Sequence, residues 1–88
     1  MNVRISDFGD ILVSRPAGRD AFLGAKAYFF QTIDPSEPLI LDFTGVKVLA
    51  PSWADEFITG IQASFTNTIE CIHTENPSVA ASLKTIFT

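Results

Sequence analysis

The N-terminal part of the chain contains two short runs whose apolar residues are arranged as in β-strands. Val3 and Ile5 alternate with polar neighbours, and residues 11–13 are all apolar, so both runs favour an extended conformation. The segment between them is short and contains Gly9. Because a short connection with glycine is typical of a hairpin, we expect these two strands to pair in an antiparallel manner.

The apolar period then changes to that of an α-helix. One helical face is formed by Phe22, Ala25, Phe29 and Ile33. This spacing is that of an amphipathic helix, which we expect to extend from about residue 15 to residue 33. Pro35 and Pro38 follow, and they end the helix because proline has no amide hydrogen to continue its hydrogen bonds.

The second half of the chain contains a strand followed by a helix twice in succession. Residues 39–41 are apolar without alternation, as in a strand that is covered on both faces. A helix is expected from about residue 52 to residue 65, and its apolar face contains Ala54, Phe57, Ile58, Ile61 and Phe65. Residues 69–73 favour another strand. Asn76 and Pro77 then suit the N-cap and the first position of a last helix.

The predicted order of elements is therefore β-β-α-β-α-β-α, in one domain that spans residues 1–88. Strand–helix–strand units imply parallel strands with right-handed connections, and the hairpin adds an antiparallel pair. We expect an α/β fold with one mixed sheet of four strands and three helices packed on it. The turn and helix start after residues 39–41 lie where binding sites are common in such folds.

Composition excludes several functional classes. Ten acidic and six basic residues give a net charge of −4, which argues against nucleic-acid binding. A single cysteine and a single histidine provide neither a disulfide nor a zinc cluster. Residues 1–7 lack the long apolar core expected of a signal peptide, and no apolar run is near the roughly 18 residues of a membrane span. No nucleophile–base pair or cofactor loop is present, so we expect a cytoplasmic recognition module without metal or cofactor, and not an enzyme.

Several motifs occur in a fixed order along the chain. Residues 41–46 read Leu-Asp-Phe-Thr-Gly-Val and residues 54–57 read Ala-Asp-Glu-Phe. Residues 13–15 read Val-Ser-Arg before the first predicted helix, and residues 76–77 read Asn-Pro before the last. Together these motifs resemble the small bacterial STAS-like family of unknown function, which is distantly similar to the STAS domains of anti-sigma-factor antagonists. The resemblance implies a STAS-like fold and a regulatory role.

In those antagonists, Gly-Val and a hydrophobic pair precede Asp-Ser-Ser-Gly, whose second serine is phosphorylated by a kinase of the histidine-kinase-like ATPase class. Residues 45–46 match the Gly-Val pair, and Ser52 falls on the phosphorylated serine. The other positions of the motif differ, with Ala50, Pro51 and Trp53 in place of Asp, Ser and Gly. The resemblance implies that Ser52 is a phosphoacceptor and that a protein is the partner.

Most residues of this segment also have a structural interpretation. Ser52 and Asp55 resemble a capping box, which is compatible with a phosphate because helix N-termini favour anions. Asp55 and Glu56 either stabilise the helix start or contact a basic partner. Trp53 either covers the core or is an interface hot spot. Asp42 is expected to cap the turn after its strand.

We therefore predict one partner-binding surface, made of Arg15, Thr44, Ser52, Trp53, Asp55, Glu56 and Thr59. The expected partner is a protein such as a histidine-kinase-like ATPase or an anti-sigma-type kinase. The alternative is a pocket for a nucleotide or an apolar molecule at the same end of the sheet. His73 is expected at the rim of the sheet and Cys71 as a buried apolar residue. The sequence leaves open whether the chain forms a homodimer.

Overall fold

A computed structural model describes residues 1–28 and 30–87 of the chain. Within these residues the strands are β1 (Asn2–Arg4), β2 (Ile11–Leu12), β3 (Leu39–Asp42), β4 (Val48–Leu49) and β5 (Ile69–Ile72). The helices are α1 (Arg15–Tyr28), α2 (Pro51–Ser64) and α3 (Pro77–Ile86), and a short 3₁₀ helix spans Ile5–Phe8. The predicted α/β class with three helices is confirmed.

The strands form two parallel sheets. β3 lies between β1 and β5, so that Leu41 is beside Val3 on one side and Cys71 on the other. β2 pairs with β4, with Ile11 beside Val48. The prediction that residues 39–41 form a central strand is confirmed. The predicted single mixed sheet of four strands is wrong, because the described strands form a sheet of three and a sheet of two.

The predicted hairpin between the first two strands does not form. Ile5 has left β1 and is fully buried within the 3₁₀ helix, so its spacing from Val3 reflects core packing and not a longer strand. Gly9 has a φ of 134°, a conformation that glycine adopts far more readily than other residues. The chain thereby passes from the larger sheet to the smaller one between β1 and β2.

α1 is shorter than predicted. It ends at Tyr28, and the amide of Phe30 donates to the carbonyl of Ala25 at 3.1 Å just beyond it. Phe30 is buried and Ile33 is partly buried against the core, although neither lies in the helix. The apolar residues that suggested a longer helix therefore belong partly to the following turn, which also packs on the core. Phe29, which was predicted on the apolar face, lies outside the described residues.

α1 and α2 pack closely because a glycine of each helix lies at their contact. A Cβ atom on Gly18 would lie 2.5 Å from the carbonyl oxygen of Trp53. A Cβ atom on Gly60 would lie 2.8 Å from the ring of Phe22. The two helices therefore approach to a distance that no larger residue at these positions would permit.

α3 begins as predicted and covers one edge of the smaller sheet. The side-chain oxygen of Asn76 accepts hydrogen bonds from the amides of Ser78 at 2.8 Å and Val79 at 3.2 Å. The Ser78 hydroxyl accepts from the Leu49 amide at 3.0 Å, and the Ser82 hydroxyl donates to the Leu49 carbonyl. These contacts satisfy the backbone of β4 on the side opposite β2.

Candidate functional site

Two neighbouring parallel strands end at a group of polar residues that we call the Asp42 cluster: Asp42, Thr44 and His73. Asp42 is the last residue of β3, and His73 directly follows β5. Asp42 Oδ1 accepts hydrogen bonds from the amide of Thr44 at 3.0 Å and from its hydroxyl at 2.7 Å. His73 Nδ1 lies 2.9 Å from the same oxygen and 3.0 Å from Thr44 Oγ1. The predicted role of Asp42 as a turn cap is confirmed.

The groups of the Asp42 cluster stabilise one another's charged forms. Hydrogen bonds from Thr44, and then from His73, lower the pKa of Asp42 well below its ordinary value of 3.8. The hydrogen bond with Asp42, followed by its negative charge, raises the pKa of His73 above 6.5. The charge of Glu75 acts in the same direction. His73 therefore keeps its proton to a higher pH than an isolated histidine.

A second group, the Arg15 cluster, joins the start of α1 to the second turn of α2 through Arg15, Asp55 and Glu56. Nη1 of Arg15 lies 2.7 Å from Asp55 Oδ2 and 3.3 Å from Glu56 Oε1. These hydrogen bonds raise the pKa of Arg15 further. The side chains of Arg15, Asp55 and Glu56 are 54%, 41% and 24% exposed, so the cluster forms a charged surface. Both carboxylates lie beyond the first turn of α2, and each contacts Arg15.

Ser52 lies in the first turn of α2 but does not cap the helix. The N-cap is Ala50 and the first helical residue is Pro51, and no side chain accepts the cap hydrogen bond. Proline suits the first helical position because the amide there needs no partner. The helix therefore starts one residue earlier than predicted, and the predicted capping box of Ser52 and Asp55 is wrong.

A shallow depression lies beside the start of α2. Its volume is about 240 Å³, and it is lined by Arg15, Pro51, Ser52, Asp55, Thr85 and Ile86. Ser52 is half-buried there. The depression therefore brings the candidate phosphoacceptor next to two members of the Arg15 cluster.

Trp53 is not part of this exposed surface. Its side chain is only 2% exposed, and its ring stacks on Phe57 with centroids 5.0 Å apart. The ring of Phe8 lies 6.2 Å away. The prediction that the Trp53 side chain is available to a partner is wrong, because the ring packs against Phe8 and Phe57 and is almost fully buried. The core alternative is confirmed.

The structure brings together four of the seven predicted site residues: Arg15, Ser52, Asp55 and Glu56. Thr59 lies one turn further along α2, where its hydroxyl donates to the carbonyl of Asp55. Thr44 belongs to the Asp42 cluster instead, where its hydroxyl donates to Asp42. The predicted surface is therefore divided between two groups of residues.

The contact between His73 and Asp42 was not predicted. His73 is exposed, as expected of a rim residue, but its ring is held by Asp42 and Thr44. The register that places Asp42 beside Ile72 brings the next residue to the turn after β3. Cys71 is half-buried, and burial raises the pKa of its thiol to about 11.

The described part of the chain contains no group of three or more histidine, cysteine, aspartate or glutamate residues that could hold a metal ion. None of its helices within residues 1–28 and 30–87 is long and apolar enough to cross a membrane.

Comparison with known families identifies the class of the protein. Residues 25–79, more than half of the chain, match the family model of the STAS-like domain of unknown function, DUF4325. The chain therefore belongs to this STAS-like family. The match includes both motifs of residues 41–57 and all of the Asp42 cluster, whereas Arg15 precedes it. Neither the curated proteins nor the solved structures gave a match.

Proposed function

We propose that this STAS-like domain is a non-enzymatic regulatory module of the cytoplasm, which binds a protein partner through Ser52 and the Arg15 cluster. One observation carries the proposal. Ser52 stands in the first turn of α2, directly after a strand, and it occupies the position that resembles the phosphorylated serine of anti-sigma-factor antagonists. It borders a depression that Arg15 and Asp55 also line.

The charge of this surface favours a basic partner. Two carboxylates share one guanidinium in the Arg15 cluster, so one negative charge is in excess. The whole chain has a net charge of −4. Complementary charge speeds association and selects among partners. The resemblance to anti-sigma-factor antagonists implies a histidine-kinase-like ATPase or serine kinase as the partner, and the charge implies that its binding surface is basic.

Phosphorylation of Ser52 would change this surface directly. The kinase would transfer the γ-phosphoryl group of ATP to Ser52 Oγ, and ADP and the hydroxyl proton would leave. A phosphoserine adds about −1.5 to −2 charges. On a helix, Asp55 and Glu56 are the third and fourth residues after Ser52 and lie on the same side. The phosphate would therefore repel both carboxylates and compete for Arg15. This rearrangement of the cluster, and not the added negative charge itself, would release a partner whose binding surface fits the unmodified cluster.

Titration calorimetry with a purified ATPase of this class tests the binding surface. Glu56→Gln and Asp55→Asn should weaken binding, while Glu70→Gln, an exposed substitution on β5, should not. Exposed ion pairs contribute little to stability, so the variants should melt like the wild type. Equal affinity of all variants would show that the surface is wrongly assigned.

Intact-mass spectrometry after incubation with the kinase and ATP tests the phosphoacceptor. Ser52→Ala should abolish the added phosphoryl group, whereas Ser64→Ala, at the exposed far end of the same helix, should retain it. Modification of the Ser52→Ala variant would exclude Ser52. Thermal stabilisation by a nucleotide without any protein partner would instead favour the small-ligand alternative.

A further inference from the structure

β2 has one edge that no described strand pairs. β2 is hydrogen-bonded to β4 alone among the described strands. The carbonyl of Asp10 accepts from the amide of Val48, and the carbonyl of Leu12 accepts from the amide of Ala50. The backbone polar groups of Asp10 and Leu12 therefore point towards β4. Because neighbouring residues of a strand point to opposite edges, the polar backbone groups of Ile11 face away from β4.

The two outer edges of the smaller sheet differ in how their surroundings cover them. The outer edge of β4 is satisfied by the hydroxyls of Ser78 and Ser82. Along the outer edge of β2, the side chains of Ile11 and Val13 are 59% and 46% exposed. An open edge with exposed apolar side chains is a template for pairing with another extended chain.

A groove follows this edge between β2 and α1. Its volume is about 360 Å³. Phe8 and Trp53 contribute aromatic residues to its lining, and Ala17 and Ala21 line the side formed by α1. These alanines are one helical turn apart and so lie on the same face of α1, and their small side chains leave this side of the groove open. Successive side chains of an added strand would point alternately into the groove and into solvent.

Charge indicates which kind of segment fits. Asp20 is the only charged residue among those that line the groove, and it is exposed. We infer that the β2 edge binds an extended peptide segment of a partner protein, with alternating apolar residues and a basic residue that faces Asp20. The segment would add a strand beside β2 by the recognition mode known as β-augmentation.

A second copy of the chain fits this edge less well. Symmetric pairing of two β2 edges would bring the grooves of both copies, each with an exposed Asp20, to one interface, in a chain whose net charge is already −4. Like charges across an interface oppose association. This inference does not rest on the proposed role of Ser52, and the two surfaces are tested with different variants.

Selection from a phage-displayed library of random heptapeptides tests the inference. The selected peptides should alternate β-branched apolar residues with polar ones and contain Lys or Arg. Ile11→Pro removes the amide that faces the free edge and keeps the hydrogen bonds to β4, since proline is tolerated on edge strands. Fluorescence anisotropy with a selected peptide should show that Ile11→Pro binds it about tenfold or more weakly than the wild type does.

Two further variants isolate the contribution of charge. Asp20→Asn should weaken binding by about two- to fivefold and remove most of its salt dependence. Leu23→Ser and Glu70→Gln, at exposed positions outside the groove, serve as controls and should bind like the wild type. Amide hydrogen exchange measured by NMR tests the same edge in the wild-type protein, without any substitution. The peptide should protect the amide of Ile11 in the wild-type protein.

Three results would overturn the inference. The library yields no enriched sequence, or the selected peptide protects amides elsewhere, such as those around Ser52. Alternatively, sedimentation shows a wild-type dimer that Ile11→Pro converts to monomer, which would assign the edge to a second copy.

Discussion

Two glycines of α1 provide a sharp test of how closely α1 and α2 pack. A Cβ atom on Gly24 would meet nothing within 4 Å, whereas one on Gly18 would lie 2.5 Å from the carbonyl oxygen and 2.9 Å from the Cα of Trp53. Both glycines lie inside the same helix. Alanine is favoured over glycine there by about 1 kcal/mol, so the two substitutions gain the same helix propensity and differ in the contact they create.

Gly24→Ala should therefore raise the free energy of unfolding by about 1 kcal/mol. Gly18→Ala must push apart two helix backbones, because the atoms it meets belong to the main chain. Overpacking of this kind costs about 3 kcal/mol, or more where the backbone has to shift. After the propensity gain, Gly18→Ala should lower the stability by about 2 kcal/mol. For a domain of this size, 1 kcal/mol corresponds to roughly 4–8 °C in Tm.

Thermal melting followed by circular dichroism, together with urea unfolding, measures both effects. From the most to the least stable protein, the expected order is Gly24→Ala, wild type and Gly18→Ala. A Gly18→Ala protein as stable as the wild type would refute the close contact with Trp53. A Gly24→Ala protein that is not stabilised would refute the helical conformation and open surroundings of that position.

Three further predictions concern single side chains. Asn76→Ala should lower the unfolding free energy by about 1 kcal/mol, because two amides of α3 lose their acceptor; unchanged urea unfolding would contradict the cap. An NMR titration of His73 should give a pKa above 6.5, and Asp42→Asn should return it towards 6.5. Because folding raises this pKa, the stability gained from the pair is present below pH 6.5 and is lost as pH rises through the folded value. Asp42 must also be ionised, so its contribution is lost as pH falls through its lowered pKa. Cys71, whose pKa is raised to about 11, should react slowly with Ellman's reagent at pH 8 and quickly in urea; equal rates would contradict its burial.

The helices could be predicted because their signals are local. The apolar face of α2 is present in the sequence as Phe57, Ile58 and Ile61, and these residues are buried in the structure. Asn76 followed by Pro77 marked the start of α3 correctly. The start of α2 was misplaced by one residue, because Ser52 is a good cap by type while Pro51 already occupies the first helical position.

The strand–helix–strand order predicted parallel strands, as β3 and β5 are, but the division into two sheets could not be predicted because it depends on contacts between distant residues. β2 was expected from the apolar residues 11–13, but β4 contains only two residues, which is too short for a periodic signal. The pairing of His73 with Asp42 requires the register of β3 and β5, which no local pattern specifies. Trp53 had two interpretations, as a core residue or as an interface residue, and its burial depends in part on Phe8, which lies far away in the sequence.

The parallel pairing of every described strand has a consequence for how the chain reaches its native state. β1 pairs with β3, β2 with β4 and β3 with β5, so no described strand pairs with its neighbour in sequence. Such a topology has a high contact order. Folding is then slow, because long loops must close, at a cost in entropy, before any strand pair can stabilise the chain. On the ribosome, the larger sheet cannot close until Ile69–Ile72 has emerged. Until then the apolar edge of β3 is open to other nascent chains, so chaperone dependence during synthesis is expected for this small domain.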